Sequence, residues 1–79
     1  MNEQKQTSAV RQFGKLRVWV PLRGYGFLDS EMSNGTSFFL HVSQVRESQR
    51  AALIPGVFLE FSPLKTAKGW SAMAATVIE

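Results

Sequence analysis

Four ring-bearing residues stand at alternate positions in two short segments, Tyr25-Gly26-Phe27 and Phe39-Leu40-His41. Strand side chains point to opposite faces in turn, so each pair shares one face of its strand. The opposite parity carries Leu28 in one segment and Phe38, Leu40 and Val42 in the other, which makes a sensible core. Tyr25, Phe27, Phe39 and His41 are thereby assigned to the outer face. Burying a Phe is worth about 1.5–3 kcal/mol, so two left outside need a reason. Stacking of nucleobases supplies one, at about 1–3 kcal/mol per base and with little dependence on sequence. Lys15, Arg17 and Arg23 border the same region and can neutralise phosphates, while Gly24 and Gly26 offer a low surface for close approach. The competing reading inverts the faces and places Tyr25, Phe27 and Phe39 in the core.

Other chemistry finds little footing. The chain has no Cys and one His, which excludes disulfides, thiolate nucleophiles and Cys-based metal sites. Its Ser, Thr and acidic residues form no nucleophile–base–orienter set, and no Gly-rich loop leads into a helix. Neither catalysis nor a cofactor or metal is expected. Nine Lys and Arg against six Asp and Glu give a net charge of +3, a bias toward polyanions rather than a basic tail. No apolar run approaches the roughly 20 residues of a membrane span, and Met1 to Gln12 lacks the apolar stretch of a secretory signal. A cytoplasmic protein with no membrane partner is expected.

The elements that must position the rings are short. At 79 residues the chain holds one domain. Residues 1–12 read as a flexible arm and 13–79 as the folded domain. Strands are predicted over Lys15–Val20, Gly24–Leu28, Phe38–Val42, Val57–Phe61 and Trp70–Ile78, with Pro21 and Pro63 as stops. Ser33-Asn34-Gly35-Thr36 and Lys65 to Gly69 are turns. Ser43 to Ile54 reads as one helical turn followed by a long loop. Five short strands without a convincing helix predict an all-β, five-stranded antiparallel barrel, OB-like or SH3-like; the long connection after the third strand favours the OB type. Closure removes exposed edges.

The stretch RGYGFLD resembles the first ribonucleoprotein motif of the cold-shock domain family, and FFLHV resembles its second. Their order, their spacing and the preceding Gly14-Lys15-Leu16-Arg17 match, and the resemblance covers about Gly14 to Val77. It implies an OB-fold barrel that binds single-stranded RNA or DNA with low sequence preference and acts as a nucleic-acid chaperone. Tyr25 and Phe27 fall on the stacking aromatics of the first motif, Phe39 and His41 on those of the second, and Arg17 and Arg23 on basic positions.

The departures concern the edges. The stacking Trp of the family's first strand aligns with Val18 without a gap and with Trp19 after a one-residue shift. Trp19 is accordingly divided between stacking and packing. Val42 replaces an aromatic, and Arg50 stands where a loop aromatic is usual, although a guanidinium can also stack on a base. The loop between the second and third strands is about two residues longer than usual. The expected site comprises Lys15, Arg17, Trp19, Arg23, Tyr25, Phe27, Phe39, His41 and Arg50, with weaker binding or altered subsites. Trp70 reads as packing, Lys65 and Lys68 as solvated turn residues, and neither Phe58 nor Phe61 is assigned to the site. The alternative is a small barrel whose aromatic face holds a protein partner. A monomer is expected, and the exposed face and long loop also suit a swapped dimer.

Overall fold

The computed structural model describes residues 10–30, 32 and 35–78. Five strands form: β1 Gln12–Val20, β2 Tyr25–Ser30, β3 Ser37–His41, β4 Phe58–Thr66 and β5 Gly69–Ile78. They close into a barrel in the order β1-β2-β3-β5-β4. Two short 3-10 segments, Val42–Gln44 and Glu47–Ala52, lie in the connection from β3 to β4.

Alternation decides what each strand buries. Leu16, Leu28, Phe38, Leu40, Leu59 and Phe61 point inward and are almost wholly buried. Phe38 and Phe61 meet with centroids 4.9 Å apart. Val45 and Leu53 from the long connection join this core, together with Ala72, Ala75 and Val77 from β5.

The barrel is mixed, which corrects the expectation of a purely antiparallel one: β3 and β5 run parallel, with Phe39 opposite Ser71 and a further parallel bridge from Val45 to Ala75. The reason is topological. Strand directions cannot alternate around a closed ring of five, so at least one neighbouring pair must be parallel. The long connection carries the chain away from β3, β4 pairs with β1 instead, and β5 returns to close the ring.

Several boundaries also differ. β1 begins at Gln12, which pairs with Phe61, and Arg11 is anchored rather than loose. Its guanidinium donates to Ser62 Oγ and to the Glu60 and Ala74 carbonyls. Residues 1–9 of the predicted arm lie outside the described residues, as do Ser33 and Asn34 of the predicted turn. β4 continues through Pro63, which pairs with Ala72. The β1 partner ends at Phe61, so from Ser62 onward one side of β4 is an edge, where proline is tolerated.

Two bulges shape the barrel. Arg17 is the extra residue in β1, because Leu16 faces Leu28 and Val18 already faces Phe27. On β5, the register jumps between Thr76 and Met73, and Ala74 there adopts φ +48. Arg11 and Gln44, whose Oε1 accepts the Ala74 N–H, hold this irregular stretch.

Candidate nucleic-acid interface

The β2–β3 register brings the four rings together. Tyr25 stands opposite His41 and Phe27 opposite Phe39. Ring centroids are 5.8 Å apart for Tyr25–Phe39 and for Phe27–Phe39, and 6.4 Å for Phe39–His41. Tyr25 and Phe27 meet edge to face at 6.3 Å. These separations lie within the favourable range for aromatic pairs, so the rings brace one another. The face assignment follows from one neighbouring pair of residues: Phe38 is 1% exposed and Phe39 36%. The inverted reading, with Tyr25, Phe27 and Phe39 in the core, does not hold.

The His41 ring is fixed by its surroundings. Its Nδ1 accepts the Ser43 backbone N–H at 3.1 Å and lies 2.9 Å from Ser43 Oγ, capping the first 3-10 segment. With Nδ1 an acceptor, the neutral ring carries its hydrogen on Nε2. That leaves an N–H donor and an exposed π-face on the platform.

The bulge at Arg17 settles the first strand. Downstream of it the parity of β1 inverts, so Val18 shares the outer face with Phe27 and is 37% exposed. Trp19 pairs with Gly26, packs against the core and lies on the other side of the sheet from the rings. A Cβ on Gly26 would fall 2.7 Å from Trp19 Cε3 and closer still to the Val18 carbonyl oxygen. The low surface over Gly26 is thus filled by the protein's own side chain. Above Gly24, with φ +70, Val42 takes the corresponding space.

The four expected cations are placed in four different ways. Arg17 lies at the end of the platform beyond Phe27, but its Nε donates to the Asp29 carboxylate at 3.0 Å and its Nη2 to Ser37 Oγ at 2.6 Å. Lys15 Nζ sits 5.6 Å above the Phe58 ring, on the β1–β4 side. Arg50 Nε donates to the Val45 carbonyl at 2.9 Å, which anchors the long connection. Arg23 is exposed in the turn before Tyr25, and its side chain forms no ion pair among the described residues.

One neighbour of the platform escapes a reading by strand alternation. A cleft of about 390 Å³ beside the platform is lined by Phe27, Phe39, Lys68, Trp70 and Ser71. Trp70 is the second residue of β5, and the closure of β5 on β3, with Ser71 opposite Phe39, brings this end of the strand to the platform. Among the described residues no cluster of His, Asp or Glu is assembled to hold a metal ion. No helix there is long and apolar enough to cross a membrane.

No family model and no curated protein matches the chain. Fold and site define a small five-stranded β-barrel, compatible with an OB-type fold, that presents four rings on its outer face.

Proposed function

We propose that this protein binds single-stranded nucleic acid by stacking successive bases on Tyr25, Phe27, Phe39 and His41. In this reading the barrel is of the cold-shock type and acts on RNA or DNA of little structure, with low sequence preference. The observation that carries it is the set of four mutually braced rings on an outer face while like residues one position away are buried. Each ring offers a base a stacking surface worth about 1–3 kcal/mol. Arg23 and, once released from Asp29, Arg17 supply phosphate contacts at either end of the rings.

Fluorescence anisotropy of a labelled oligothymidine tests the proposal. Binding at low salt is expected to weaken with a log–log slope of about −3, corresponding to roughly four phosphates. A folded protein that leaves the oligonucleotide free at low salt contradicts it. Such a result favours a protein partner, for which Val18 and Leu22, the latter 99% exposed in the β1–β2 turn, would extend the ring surface.

A further inference from the structure

We infer that the cleft between the ring platform and the β4–β5 turn is a subsite for one further nucleobase of the same strand, stacked against Trp70 with its phosphate on Lys68. The inference rests on the proposed reading and extends it to residues that the sequence assigns to packing and solvation.

The cleft has the walls that a base requires. Phe27, Phe39 and Trp70 all line it, and Trp70, although its ring packs on Phe38, keeps 39% of its surface exposed. Its volume of about 390 Å³ lies at the small end of the roughly 300–1,000 Å³ found for small-molecule clefts. Ser71 stands opposite Phe39 in the β3–β5 pair, so the floor is continuous with the platform and carries a hydroxyl able to meet a base edge.

The far wall is held in place. Thr66 Oγ donates to the Gly69 carbonyl at 2.7 Å and accepts the Lys68 N–H at 3.2 Å, which fixes the turn. Trp70 is backed by Phe38, with centroids 5.9 Å apart, and Lys65 Nζ lies over its ring at 5.4 Å, a flexible cation that a stacking base displaces. A ring so braced loses little freedom when a base stacks on it.

Charge selects the occupant. Residues 61–78 contain Lys65 and Lys68 and no Asp or Glu. Lys68 lines the cleft and forms no ion pair among the described residues. An apolar side chain of a protein partner would use the rings and leave this cation unanswered. A nucleotide uses both.

The test uses the full chain. In Trp19→Phe, Trp70 is the single remaining tryptophan, since the sequence has two. Labelled oligothymidine is titrated while anisotropy and tryptophan emission are followed together. The subsite predicts quenching of Trp70 in step with anisotropy. Trp70→Ala is expected to weaken binding about 5- to 150-fold, and Lys68→Ala to flatten the salt slope by about 0.7. Because Trp70 backs Phe38, Trp70→Ala counts only if its circular dichroism and melting show a folded protein; the emission of Trp70 and the exposed Lys68→Ala provide the answer otherwise. Rising anisotropy with unchanged Trp70 emission and an unchanged slope in Lys68→Ala overturns the subsite and leaves the platform standing. Failure of the wild-type chain to bind removes both.

Discussion

Replacing Asp29 by Asn is expected to strengthen binding of single strands. Asp29 holds Arg17 by two Nε contacts of 3.0 and 3.1 Å at the end of the ring platform. Both side chains are about half exposed, so the pair contributes only about 0–1 kcal/mol to stability. Losing it should lower the melting temperature by no more than about 8 °C for a domain of this size. Ser37 Oγ still accepts from Nη2 and keeps the guanidinium in place. Removing one carboxylate takes the net charge from +3 to +4 and frees one cation beside Phe27. One added phosphate contact steepens the salt slope by about 0.7, which amounts to about a fivefold gain in affinity at 0.1 M salt. The assay is anisotropy of labelled oligothymidine across a salt series, with Asp29→Asn and Arg17→Ala compared alone and combined. The gain should vanish in the double variant. An unchanged slope in a folded Asp29→Asn, or a gain that survives the loss of Arg17, refutes the reasoning.

Two further predictions concern the barrel itself. Ala74→Gly should raise stability by about 0.5–1 kcal/mol in urea unfolding, because φ +48 costs a non-glycine residue about 1–2 kcal/mol and glycine's added chain entropy offsets about half of that. Gly26→Ala should cost about 1–3 kcal/mol, since its Cβ would be driven into the Val18 carbonyl and the Trp19 ring, and the altered packing should show as a changed Trp19 emission maximum.

The ring platform was legible because alternation is a local property: Phe38 and Phe39, side by side, must face opposite ways in any strand. The same logic misleads at β1. Simple alternation groups Val18 with Leu16, yet the extra residue at Arg17 inverts everything after it. Val18 then reaches the platform and Trp19 packs behind Gly26. Nothing in the residue types marks the bulge. The pairing of Arg17 with Asp29 was hidden for a related reason, since Asp29 lies twelve residues away and meets Arg17 only through the register of β1 and β2. Five strands were readable from turn residues, and their closure from the need to cover edges. The parallel β3–β5 contact follows from the odd strand number once closure is granted. The reach of β4 past Pro63 depends on where β1 stops pairing, which is a tertiary fact. Trp70 and Lys68 enter the site by the same closure.

Phe39 serves a ligand in the proposed function, while Phe38, 1% exposed, serves the fold. Phe38→Ala and Phe39→Ala, compared by urea unfolding and by oligothymidine anisotropy, test this division directly. Phe38→Ala is expected to cost about 3–5 kcal/mol of stability, a large share of what a small domain possesses. Phe39→Ala is expected to remain folded and to lose about 1–3 kcal/mol of binding free energy. A Phe39→Ala variant that stays folded and binds as tightly as the wild type would contradict the account.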